Sequence, residues 1–156
     1  MYAIIEDFVP DRMPDVEYHY RYRDSYAMAL ALHDRTGWPI GGLIVSVPIR
    51  GGAEHTHVVH AWVTSPDGRK YDVGGYFDDT VLKSLIEPPA RFIDPKICEF
   101  GDADSFISFL RASSIAPGFW HIAKQRLEEG RAMAAQVVED YVFVEHPIET
   151  PTMRLN

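Results

Sequence analysis

Asp24-Ser25-Tyr26-Ala27-Met28-Ala29-Leu30-Ala31-Leu32-His33-Asp34-Arg35-Thr36-Gly37-Trp38-Pro39 is the stretch on which the fold turns. Its ends carry helix boundary signals. Asp24 and Ser25 are residue types that cap the first free N–H groups of a helix. Thr36–Gly37 closes it, and Pro39 stops its continuation. Between these marks, Tyr26 to Leu32 is apolar at every position, so the helix has no polar stripe to turn toward water. A short helix that is apolar all round is enclosed by its domain. The spacing therefore predicts an interior helix over 24–36 at the centre of the fold.

Downstream, Leu43 to Ile49 and His57 to Thr64 have strand composition and are separated by a Gly51–Gly52 turn region. Ser65-Pro66-Asp67-Gly68 is a turn signal that returns Arg69 to Val73 as the next strand of a hairpin. Asp78 to Ile86 reads as a short helix ended by Pro88–Pro89, and Phe92 to Phe100 as a strand broken at Pro95. A short helix follows over Asp104 to Ala112, then a long helical stretch from Pro117 to about Asp140, weakened by Gly130. Tyr141 to Val144 reads as a last strand. Upstream of the central helix, Ala3 to Val9 reads as a strand followed by a polar, tyrosine-rich approach. Strands and helices are segregated along the chain, which implies α+β architecture in one domain spanning 1–156, with 149–156 a flexible tail.

Among 156 residues, 46% are hydrophobic and 24% charged, a globular composition. The formal net charge of −8 opposes a nucleic-acid partner, which calls for a basic face. The one cysteine, Cys98, forms no intramolecular disulfide and sits in a strand-like context suited to a buried structural thiol. No segment has the run of about 18 apolar residues that spans a bilayer, and the start MYAIIEDFVPD lacks a secretory pattern. The expectation is a soluble, cytoplasmic chain without a membrane partner.

Three residues in order could carry chemistry. Ser25 opens the interior helix, where free N–H groups and the helix dipole favour negative charge. His60 lies on the strand containing His57-Val58-Val59-His60-Ala61-Trp62-Val63. Asp72 lies on the returning strand, in Arg69-Lys70-Tyr71-Asp72-Val73-Gly74-Gly75. A hairpin turning at Pro66–Gly68 brings positions near 60 and 72 roughly opposite each other. A carboxylate there can accept the second N–H of the imidazole and fix its orientation.

The stretch S-Y-A-M-A-L-A-L-H-D-R-T-G-W-P followed by H-A-W-V-T-S-P-D-G-R-K-Y-D resembles the core of transglutaminase-like and other papain-fold cysteine enzymes. The resemblance covers residues 24 to about 75. It implies a buried N-terminal helix packed on an antiparallel sheet with peripheral helices, and residue 25 as nucleophile, His60 as base and acid, and Asp72 as orienting carboxylate. It also implies acyl transfer on an amide or ester: peptide cleavage, deamidation or transamidation of a protein or peptide substrate, with no cofactor. That family carries cysteine where this chain has Ser25. A serine hydroxyl gains little from a helix dipole and needs a true general base and an oxyanion site. A working Ser–His–Asp hydrolase, a degenerate site and a cysteine replaced by serine all fit the sequence. So does a non-catalytic inhibitor or effector that binds a protein partner on the same fold.

Each residue also has a plain role. Ser25 can be a helix cap, His60 a strand histidine bonded to backbone, and Asp72 a surface partner of Arg69 or Lys70. Trp38 and Trp62 suit core or cleft walls, and Tyr22, within the aromatic-basic run Tyr18 to Arg23, is placed to line a cleft leading to Ser25. His55, His57 and His60 invite a metal, but strand alternation sets 60 on the face opposite 55 and 57, and no metal-binding motif accompanies them.

Overall fold

The computed structural model describes residues 14–48, 54–86, 93–113 and 120–147. Helix α1 spans Asp15–Tyr22 and leads directly into α2, Ser25–Thr36. Strands β1 (Ile40–Pro48), β2 (Glu54–Thr64), β3 (Lys70–Asp72) and β4 (Gly75–Phe77) follow. Then come α3 (Asp79–Leu85), β5 (Ile93–Phe100), α4 (Ala103–Ala112) and α5 (Trp120–Val137). A π-helical segment, Val138–Val142, carries α5 into α6, Phe143–Glu145. The strands form one antiparallel sheet in the order β4-β3-β2-β1-β5, so the architecture is α+β.

The all-apolar helix is enclosed, as its composition requires. Ala27 to Leu32 are buried, and α2 lies against β2 and α5. Gly37 takes a left-handed conformation at its C-terminus (φ 74°), and its N–H bonds the His33 carbonyl at 2.7 Å. This is the backbone geometry that glycine tolerates at a helix end.

Alternation along the strands loads both faces of the sheet. Ile40, Ala61 and Val63 join the helix-side core with Leu30, Leu32 and Phe106. Leu43 and Trp62 point the other way, into a second cluster with Phe77 and Leu82 from β4 and α3. The indole of Trp62 lies across β1: a Cβ on Gly41 would come 2.2 Å from Trp62 Nε1, so this position has no room for a side chain.

Several sequence expectations are corrected. The polar, tyrosine-rich approach, to which the sequence reading gave no regular structure, is helical over 15–22. Pro95 does not break β5: it sits in an edge strand, where a missing N–H costs no ladder bond. The strand runs on, but its pairing with β1 does slip at this point: Ile44 faces Lys96 and Ser46 faces Ile93, so Asp94 (φ 52°) and Pro95 fall between the paired positions. Tyr141 to Val144, expected as a strand for their β-favouring side chains, continue the long helix. Val138 and Val142, one turn apart, bury there together, and tertiary burial overrides local preference. Cys98 is only partly buried. The expected strand at 3–9, the Gly51–Gly52 turn, the Pro88–Pro89 stop, the helix start at Pro117 and the tail 149–156 lie outside the described residues. No helix among the described residues is long and apolar enough to cross a membrane.

Candidate active site

The junction between α1 and α2 sets the position of Ser25. The Arg23 and Asp24 N–H groups both bond the His19 carbonyl at 3.0 Å, which ends α1 in a tight corner. The Asp24 side chain turns away from the helix it precedes, pairing with His19 at 2.7 Å and accepting from the Tyr26 hydroxyl at 3.2 Å. Neither Asp24 nor Ser25 caps α2, contrary to the capping expectation. The N–H groups at the start of α2 therefore carry no side-chain cap.

Ser25 is 5% exposed and its Oγ accepts the Ala61 N–H at 3.1 Å. Strand β3 pairs with β2 only at Val63 and Thr64, so Ala61 lies past the end of that ladder. The hydroxyl satisfies a buried backbone donor that has no strand partner on that edge.

His60 and Asp72 meet as the hairpin implied. The register pairs Val63 with Tyr71, which sets residues 60 and 72 diagonally across the same face. His60 Nε2 lies 3.0 Å from Asp72 Oδ2 with both side chains fully enclosed, and Phe77 and Trp62 flank the ring at 5.5 and 6.1 Å. The other ring nitrogen, Nδ1, lies 3.1 Å from the Arg21 backbone carbonyl.

Asp72 also accepts from Arg21 through Nε at 3.0 Å and Nη2 at 2.9 Å, and from the Gly74 N–H at 2.8 Å. Burial pushes this carboxyl upward, but hydrogen bonds from His60 and Arg21 and the guanidinium charge outweigh it, holding the group below the usual carboxylate range. Asp72 is thus an ionised acceptor. A carbonyl oxygen is also only an acceptor, so each His60 ring nitrogen faces an acceptor within the chain and neither is turned to an open site.

A cleft of about 340 Å³ borders Ser25, with Arg23, Tyr26, Thr56, His57 and Leu110 among its walls. His60 and Asp72 do not line it. Among the hydrogen bonds of the described residues, none joins Ser25 to His60; the two are linked only through the backbone of Ala61. Trp38 is core and packs on Tyr71 at 5.4 Å between centroids, while Trp62 fills the second cluster; neither borders the cleft. Tyr22 falls in α1, but its side chain lies outside the described residues.

The histidine faces are also corrected. A bulge at Val59 pairs His60 with Leu43 and His57 with Val45, so register places 57 and 60 on the same face. Among the described residues no group of three metal-ligating side chains is assembled. Sequence reasoning missed Arg21. Its only signal was its place in the basic run before Ser25, which does not distinguish it from Arg23.

No family model, curated protein or solved structure matches the chain.

Proposed function

We propose that the chain is a papain/transglutaminase-like acyl-transfer domain with serine at the nucleophile position. Residue 25 attacks the carbonyl carbon of an amide or ester in a protein or peptide, and its proton passes to His60. The tetrahedral oxyanion is met by the uncapped N–H groups at the start of α2. Collapse breaks the bond to the leaving amine or alcohol, which takes that proton from His60. Water or a second amine then releases the acyl group. Asp72 orients the ring throughout.

The observation that carries this assignment is the buried 3.0 Å contact between His60 and Asp72, one residue from the N–H that binds Ser25 Oγ. A buried carboxylate–imidazole pair on the strand to which a helix-start hydroxyl is bonded is the arrangement that supports this reading. A second role, a protein-binding module on the same fold, is favoured by one specific observation: the Ser25 oxygen and both His60 nitrogens already hold hydrogen bonds within the chain.

The test is Ser25→Cys treated with iodoacetamide across pH. Labelling at position 25 faster than at a free thiol, and slowed by His60→Ala, supports acyl transfer. Labelling at the free-thiol rate and indifferent to His60→Ala, both in this variant and when the end of α1 is released from Asp72, leaves the binding role.

A further inference from the structure

We propose that Arg21 is a positioning residue of this site: its guanidinium fixes Asp72 while its own backbone carbonyl occupies the His60 nitrogen that residue 25 needs. This rests on the acyl-transfer assignment and adds to it a reason why the site, as folded, is at rest. Asp72 holds Nε2, so Nδ1 is the nitrogen left for the nucleophile, and the Arg21 carbonyl takes it.

The local chemistry explains why this carbonyl is available. Arg21 lies in the last turn of α1, where the final carbonyls have no intrahelical N–H to bond. The negative end of the helix dipole gathers there and favours a cationic donor. The two contacts come from one residue, so they are mechanically coupled. The forked pair with Asp72 holds the end of α1 in place, and that same placement keeps the carbonyl on the ring. Tyr20, buried next to it, adds an apolar anchor. Gly74 completes the fit: a Cβ there would fall 2.6 Å from Arg21 Nη2 and 3.4 Å from Asp72 Oδ1, so only glycine lets the guanidinium sit this close. When the end of α1 withdraws, the Arg21 carbonyl leaves Nδ1, and that nitrogen becomes open to residue 25.

Gly74→Ala is the sharpest probe, because its methyl presses on the end of the guanidinium, and on Glu17 Oε1 at 3.2 Å, while Arg21, Asp72 and His60 all remain. In the full chain carrying Ser25→Cys, adding Gly74→Ala is expected to raise iodoacetamide labelling at position 25 by about tenfold. Arg21→Met should do the same, and His60→Ala should abolish the gain. If Ser25→Cys alone already labels fast in a His60-dependent way, and both substitutions slow it, the restraint is overturned while acyl transfer stands. If no variant exceeds a free thiol or responds to His60→Ala, the acyl-transfer assignment falls and takes this one with it. Arg21→Met leaves Asp72 short of a partner; should it fail to fold, Gly74→Ala and a ¹⁵N spectrum of the unaltered chain carry the test. A hydrogen-bonded proton on His60 Nδ1 is expected there, and a bare Nδ1 would overturn the proposal.

Discussion

Ser25 and Ala61, 36 positions apart, are joined by a 3.1 Å hydrogen bond in which a helix-start hydroxyl takes the place of a strand partner. The first residue of the enclosed helix is thereby fixed to the strand that carries His60. Ser25→Ala removes the acceptor and leaves a buried N–H unsatisfied, at a cost of about 1–3 kcal/mol. Urea unfolding should show a lower midpoint with an unchanged slope. An unchanged midpoint would mean that water or another group takes over the Ala61 N–H.

Asp72 is the most heavily bonded side chain of the site, accepting from His60, from Arg21 twice and from Gly74. Asp72→Ala leaves the part-buried Arg21 guanidinium and the buried His60 ring without their shared acceptor and should destabilise by about 3–5 kcal/mol. Asp72→Asn keeps the shape and some acceptor capacity, so its loss should be smaller. Because the folded carboxyl is held below its unfolded value, its contribution is complete above the ordinary aspartate range near pH ~3.9 and is lost as pH falls through the lower folded value. Acid unfolding of Asp72→Asn should therefore show a shallower pH dependence than that of the unaltered chain. Matching slopes would remove Asp72 from the acid response.

What the sequence made legible was the part governed by local pattern. The all-apolar run Tyr26–Leu32 demanded enclosure, which holds for Ala27–Leu32 and only in part for Tyr26, and Pro66-Asp67-Gly68 forced the hairpin that carries Asp72 toward His60. What it hid depended on contacts across many residues. Arg21 reaches Asp72 over 51 positions, and nothing near either residue encodes that pairing. The bulge at Val59 reverses the expected facing of His57 without any glycine or proline to announce it. Trp62 lay in the most recognisable motif, His-Ala-Trp, yet strand alternation turns it into the second core cluster, away from the cleft. The relation of Ser25 to His60 was equally unreadable, since it depends on which backbone N–H the short β3 leaves unpaired.

Gly41 tests that second cluster. Its hydrogen faces the Trp62 indole, and even a methyl group there would meet ring atoms at 2.2 to 2.9 Å. Gly41→Ala forces a 1%-exposed indole to move within a packed layer, a strain of about 1–3 kcal/mol. The near-UV circular dichroism of the tryptophans should change along with the melting temperature. A variant with native spectrum and stability would show that the layer between β1 and α3 yields more readily than its packing implies.

Two phenols give an alkaline counterpart. Burial, then the charge of Asp24 and a hydrogen bond to it, push Tyr26 up to about 12 against a smaller opposing effect of Arg126. Burial again, then a hydrogen bond to Glu17 and the charges of Glu17 and Glu145, push Tyr141 to about 12. Both groups hold their protons more tightly when folded. The stability they contribute is therefore full below the ordinary tyrosine value near pH ~10 and is lost as pH rises through about 12. Ultraviolet titration of the eight tyrosines should show a late phase that shrinks in Tyr26→Phe and again in the double variant with Tyr141→Phe. Since Tyr141 donates to Glu17, one turn before Arg21 on α1, Tyr141→Phe should also loosen that helix. Faster amide exchange at Tyr18 to Arg21 in Tyr141→Phe is the expected sign. Exchange as slow as in the unaltered chain would show that the Tyr141–Glu17 hydrogen bond does not hold α1.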